Sequence, residues 1–148
     1  MISDLSDLIE YAFSDETNKL KTIKLYDLEK DEIRFLEKLL LITLSDFKHT
    51  VDNYAIIRTH NKHGQESKEI SRGQIAVLRS DYLLVPKIIT EPDKVSIGEK
   101  SGIGTDLIIH EKEINGVVYF YVEEVRKKRK SLAMKTLYKR KASTKVGV

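Results

Sequence analysis

The sequence predicts an α+β domain, with helices first and packed on one face of a C-terminal antiparallel meander. Three observations predict it. Apolar residues recur at helical spacing in the stretches before residue 64. Asn115-Gly116, the strongest short signal for a two-residue hairpin turn, separates the apolar runs 107–114 and 117–125. A third alternating run, 132–138, follows a basic turn at 127–130.

Taken in order, the first helix is expected over 4–13, where Leu5, Leu8, Ile9 and Ala12 share a face. A polar break leads to a short alternating piece, 20–26, that reads as an edge strand. A second helix is expected over 31–44, with Ile33, Leu36, Leu39, Leu40 and Thr43 as its buried stripe. A third is expected over 50–63, stopped by Gly64 in the left-handed conformation. Ser71-Arg-Gly-Gln74 has the form of a capping box ahead of Ile75–Leu78. Pro86 and Pro92 keep the apolar segment 82–89 extended or irregular. Ser96 to Thr105 is glycine-rich without a phosphate-loop lysine, and reads as a hairpin tip.

Composition narrows the chemistry. The 148 residues suffice for one core, and the absence of cysteine excludes disulfides, thiolate metal sites and thiol nucleophiles. A hydrophobic fraction of 41% and a charged fraction of 33% describe a globular chain, and its longest apolar run is far short of a bilayer span. The net charge of +3 hides a segregation: residues 126–148 carry ten Lys or Arg and no acid, while the rest holds 16 basic against 23 acidic side chains. The segregation reads either as a solvated C-terminus or as a basic surface for a polyanion, and the interleaved Leu132, Met134, Leu137 and Tyr138 favour a folded basic element. Nucleic acid is the leading partner; an anionic membrane or an acidic protein would fit the charge alone, but no membrane is expected.

Four histidines are present. His60 and His63 stand three apart near a helix C-terminus, where the helix dipole favours a cation, so they are candidates for proton transfer. Zinc is a rival for the pair, but no third ligand stands at a metal-site spacing, and no metal or other cofactor is expected. Two surface histidines at a helix end would look the same. Arg126, Lys127, Lys128, Arg129 and Lys130, followed by Lys135, Thr136, Tyr138 and Lys139, could neutralise phosphates and hydrogen-bond phosphate or ribose oxygens. Glu123 and Glu124 are possible catalytic carboxylates, but adjacent strand residues face opposite sides, so at most one serves a given site.

An ordered set of residues runs from His63-Gly64 through Glu66, Glu69, Arg72-Gly-Gln74-Ile-Ala, Asp81, Val85-Pro86 and Glu91-Pro92-Asp93. It continues through 119–126, Arg129-Lys130 and Lys135-Thr136 to Tyr138-Lys139. Together these resemble the phage-borne barnase/EndoU/colicin/RelE-like nuclease domains of phage head-morphogenesis proteins and polymorphic toxins. The resemblance divides the chain into a helical N-terminal extension (1–45), a nuclease-like α+β core (46–141) and a tail (142–148). It implies a metal-independent, toxin-like endoribonuclease with His63 as the leading catalytic residue, His60 second, and Arg58, Arg129 and Thr136 as electrostatic or hydrogen-bonding partners. Where the family carries an earlier histidine, this chain has Arg58 or Thr59, with His60 displaced toward the C-terminus.

The implied partners are RNA, tRNA among them, and an immunity or antitoxin protein. The implied setting is the cytoplasm, of the host cell or after phage delivery. RNA supplies its own nucleophile, the 2′-hydroxyl, so the protein needs a base, an acid and fixed cations around the phosphate. The products would be a 2′,3′-cyclic phosphate and a 5′-hydroxyl. Two other functions fit the same residues: a non-catalytic nucleic-acid-binding module, and a phage structural or interaction protein.

Overall fold

The computed structural model describes residues 4–15, 19–100 and 102–142. Six strands form one sheet in the order β1-β2-β6-β5-β4-β3. They are β1 (Thr22–Asp27), β2 (Lys48–Asp52), β3 (Lys94–Ile97), β4 (Leu107–Ile114), β5 (Val117–Arg126) and β6 (Ser131–Lys141). The expected meander is its centre, with Asn115 and Gly116 both at positive φ (51° and 79°) in the β4–β5 turn. All neighbours pair antiparallel except β2 and β6, which run parallel.

The helices are α1 (Leu5–Ala12), α2 (Lys30–Leu40), α3 (Asn53–His63), α4 (Glu66–Ser71) and α5 (Val85–Thr90), with a 3₁₀ turn over Arg79–Leu84. Two apolar clusters form the core, and both draw their sheet residues from one face. Val51, Tyr119, Tyr121, Met134 and Leu137 meet α1, α3, the 3₁₀ turn and α5; Ile108, Val125 and Leu132 meet Leu36 of α2. That is the predicted α+β arrangement, with the helices on one side of the sheet. α1 shares the core with the central strands, and β1 is an edge of the same sheet.

Several local expectations are corrected. The segment 50–63 is not one helix: residues 48–52 extend between β1 and β6, and α3 begins only after Asp52, whose carboxylate accepts from Ala55 N at 2.8 Å. β-Branched Thr50 and Val51 suit a strand, and pairing on both sides outweighs the helical spacing of their apolar neighbours. α2 ends early because Leu41 turns left-handed (φ 58°) and the Glu37 carboxylate accepts from Leu44 N at 2.8 Å. Thr43 therefore lies outside the helix, and Leu39 is exposed rather than part of a buried stripe.

Gly64 is right-handed (φ −92°), and its smallness matters for a different reason. A Cβ there would lie 2.5 Å from the His60 carbonyl oxygen and 2.6 Å from its Nδ1. Ser71 closes α4 instead of capping a new helix. Gly73 (φ 70°) turns the chain, so that Ile75 N donates to the Lys139 carbonyl at 2.9 Å along the β6 edge that short β2 leaves free. Residues 79–90 are helical, because Pro86 sits in the first turn of α5, where its missing N–H costs nothing.

Candidate nucleic-acid interface

The β5–β6 ladder changes register between Val122 and Glu123. Val122 pairs with Thr136 and Glu123 with Met134, which leaves Lys135 without an opposite number. The bulge keeps Met134 in the core while Lys135 and Thr136 open beside Glu124 and Arg126, on the side that α3 flanks. α3 leaves β2 and lies along the β6 edge, so Thr59 Oγ1 donates to Thr136 Oγ1 (3.5 Å). Arg58, Thr59 and Lys62 of α3 thus face Glu124, Arg126, Lys135 and Thr136 across a hollow of about 380 Å³.

Arg126 is held in place by its neighbours. Its Nε and Nη2 donate to Glu124 Oε1 at 3.0 and 2.6 Å, and its Nη1 is 3.9 Å from Asp52 Oδ2. Among the described residues, Arg58, Lys62 and Lys135 have no carboxylate within ion-pair distance. A second hollow, of about 470 Å³, shares Glu124 and Arg126 as a wall and continues to Lys127, Lys128, Arg129, Lys100, Ile103 and Asp106. The two hollows make one predominantly basic trough with Glu124 at its middle and Asp106, paired with Lys100 at 3.0 Å, in the second hollow, suited to a chain of phosphates.

The expected site residues divide. Arg58, Thr136, Arg126 and Lys135 meet in the first hollow, and Arg129, Lys127 and Lys128 line the second. The histidines do not join them. His63 is buried, its Nδ1 donates to Glu69 Oε2 at 3.1 Å, and its ring lies 5.5 Å from that of Tyr138. His60 turns toward α1, edge-on to Phe13 at 5.0 Å, with its Nδ1 buried and unpartnered. Residues three apart on a helix point in directions about 60° apart, which sends this pair to different neighbours.

Tyr138 stacks on Phe120 at 4.8 Å, two residues along β6 from Thr136. Lys130 turns away toward Asp46 at 3.8 Å. Lys139 leaves the basic surface altogether. Paired with Tyr119 on the helix-covered face, it is 6% exposed and donates to Asp81 at 2.7 Å.

Lys62 in the first hollow, with Lys100 and Asp106 in the second, carries no signal in the sequence that marks it for the groove, and Thr59 enters only as the position of the family's earlier histidine; Glu124, one of the two carboxylates considered from the sequence, lines both hollows. The alternation of β5 separates the two acids as expected: Glu124 faces the trough and Glu123 the core. There Glu123, fully buried, accepts from His49 Nδ1 and His110 Nε2, each at 2.7 Å, while His49 Nε2 donates to Glu32 at 2.9 Å. Burial works against charge on both partners, but the ion pairs prevail. His49 is pushed up to about 10 by Glu123 and Glu32, and Glu123 is held at about 2 by His49 and His110. No local spacing announces this cluster, because its members come from α2, β2, β4 and β5.

The family model for phage-Barnase-EndoU-ColicinE5/D-RelE like nuclease3 matches residues 29–146. The chain belongs to this nuclease family. No curated protein and no solved structure matches it. The nuclease match takes in the sheet from β2 onward and every residue of the trough, while α1 and β1 precede it. Membership makes the chain a nucleic-acid-cleaving enzyme by family. No described helix is long and apolar enough to cross a membrane.

Proposed function

We propose that this nuclease is a metal-independent endoribonuclease whose active site is the α3–β5–β6 hollow. The observation that carries the reading is the gathering of Arg58, Lys62, Arg126 and Lys135 around the Glu124 carboxylate and the Thr59 and Thr136 hydroxyls. Glu124 takes the 2′-hydroxyl proton as that oxygen attacks the neighbouring phosphorus. The guanidinium and ammonium groups hold the negative charge that builds on the pentavalent phosphate. Thr136 donates to a non-bridging oxygen, and Lys62 and Lys135 are the proton donors at hand for the departing 5′-oxygen.

The carboxylate here takes the part first expected of a histidine pair, and His63 becomes a positioning residue that anchors the end of α3 to Glu69 and Tyr138. Lys127, Lys128 and Arg129 bind the adjoining phosphates. RNA is the substrate because DNA lacks the nucleophile.

The test is an end-labelled RNA and the same strand with 2′-deoxy sugars, each incubated with and without chelator. RNA is expected to be cut to a 2′,3′-cyclic phosphate regardless of chelator, with the deoxy strand intact. Glu124→Gln is expected to slow cleavage by roughly 10²–10⁴-fold with unfolding unchanged. Equal cutting of both strands, or loss of cutting with chelator, overturns the mechanism.

A further inference from the structure

Beyond the second hollow lies a third, of about 310 Å³, that the proposed cleavage does not use. It opens between the loop joining α2 to β2 and the basic β5–β6 turn, and is lined by Ile42, Thr43, Ser45, Phe47, Lys127 and Lys130. Lys127 also lines the second hollow, so the two adjoin along that side chain. The basic track therefore continues past the second hollow and meets a surface of different chemistry.

The walls of the third hollow are fastened to each other. Lys48 N donates to the Lys130 carbonyl at 3.1 Å and Lys48 Nζ to the Arg129 carbonyl at 3.2 Å, which ties the turn to the start of β2. On the loop side, the Glu37 carboxylate accepts from Leu44 N, and Leu44 and Phe47 are rooted in the core. Leu41 and Asp46 make the bends between them at positive φ (58° and 64°). A hollow with fixed walls loses little freedom on binding.

Three kinds of surface meet there. Lys127 and Lys130 are exposed cations. Lys127 has no carboxylate within ion-pair distance among the described residues, and Lys130 has Asp46, 3.8 Å away and itself exposed. An exposed pair of that length holds its lysine weakly. Ile42 and Phe47 form an apolar floor. The Thr43 and Ser45 hydroxyls are exposed and have no partner among the described residues. Cation, apolar floor and hydroxyl answer in turn to the phosphate, the face of the base and the polar base edge of a nucleotide. An acidic peptide would use the cations and leave the floor uncovered.

We propose that this third hollow is a nucleotide subsite of the trough, taking an unpaired nucleotide of the same strand whose scissile phosphate lies at Glu124. The inference rests on the trough being the path of the substrate. The phosphate lies between Lys127 and Lys130, the base covers Ile42, and Thr43 and Ser45 hydrogen-bond its edge. A hydroxyl both donates and accepts, so the subsite takes any base. A base in a duplex keeps its edge paired and does not reach the floor, so the preferred substrate is single-stranded.

The full-length chain is titrated at low salt with end-labelled 2′-deoxythymidine strands from two to about eight nucleotides long, the size range of single-strand sites. The readout is the length gain, the affinity of the longest strand over that of the shortest. Thr43→Glu sets a carboxylate in the hollow at an exposed position outside any helix, and is expected to cut the length gain several-fold with urea unfolding unchanged. Asp46→Asn releases Lys130 to a phosphate. It is expected to raise the length gain several-fold and to steepen the salt dependence by about one counterion. Asparagine suits the left-handed backbone at 46, so the fold is kept.

A length gain untouched by both substitutions, or one matched by poly-glutamate chains of equal charge, overturns the subsite. Strands that fail to bind at low salt overturn the trough and the subsite together. Failure of the cleavage mechanism alone reads differently: the deoxy strands are cut, and the length gain is then taken from the cutting rates.

Discussion

Replacing Glu123 by Gln removes the one charge that holds both buried imidazoles, while keeping the side chain's shape. In the native chain its two oxygens accept from His49 and His110 at 2.7 Å, with no part of the residue exposed. Burial opposes its ionisation, yet His49 and His110 bring it from 4.5 to about 2. At about 1.4 kcal/mol for each pKa unit, that corresponds to roughly 3 kcal/mol.

The displacement of His49 from 6.5 to about 10 corresponds to roughly 5 kcal/mol on the same scale. Part of that belongs to Glu32, and the remainder is the same ion pair seen from its other end, so the two figures are not added. The smaller is the better measure, and breaking a buried pair costs about 3–5 kcal/mol in general.

The pH dependence has two limbs. His49 is raised, so its contribution is complete below about pH 6.5 and is lost as pH climbs through about 10. Glu123 is lowered, so its contribution is complete above about pH 4.5 and is lost as pH falls toward about 2. Wild-type stability from this cluster is therefore greatest between those two ordinary values, and falls by roughly 3 kcal/mol from about pH 6.5 to 9.

Urea unfolding at about pH 5.5, 7.5 and 9, with a common m-value, measures it. Glu123→Gln is expected to lose roughly 3 kcal/mol at about pH 5.5 and to show a shallower alkaline limb. A variant within about 1 kcal/mol of wild type, or a wild type whose stability is flat from about pH 6.5 to 9, refutes the reasoning.

Three further outcomes are expected. Gly64→Ala forces a Cβ to within 2.6 Å of the His60 carbonyl and imidazole, and urea melts should show a loss of about 1–3 kcal/mol. His63→Ala strips Glu69 of one partner while leaving Arg72 at 2.7 Å. It should lower stability while folded protein retains cleavage within about tenfold of wild type, and a loss of 10²–10⁴-fold in folded protein would return proton transfer to His63. Exchanging Lys127, Lys128 and Arg129 for Ala together should weaken RNA binding and flatten its dependence on salt by about two to three counterions, measured by titration at several ionic strengths.

Local features are legible in the residues themselves. The Asn115-Gly116 turn, the helical spacing in α1, and the opposite facing of Glu123 and Glu124 each depend on a few neighbouring side chains. The segment 48–52 could not be read so, because its strand state is imposed by partners at 22–27 and 131–133 that are distant in the chain. The Asp52 cap is a local mark of where α3 begins, yet it stands inside a stretch whose apolar spacing is helical. The basic tail was visible as charge, but not its division: alternation and the bulge send Lys139 to the core and Lys135 to the trough.

The residues alone determined the α+β class, the central meander, the basic character of its closing strands and, through an ordered set of motifs, the nuclease family. Only the tertiary structure decided which charges meet. It took Arg58 and Lys62 from α3, Glu124 and Arg126 from β5, and Lys135 and Thr136 from β6 into one hollow. It set His60 and His63 apart on Phe13 and Glu69, and joined His49 to His110 through Glu123. The physical reason is range. Propensity and periodicity act over a few residues, whereas a site of opposed charges depends on sheet register and on how one helix lies along one strand edge, which packing of the whole chain sets.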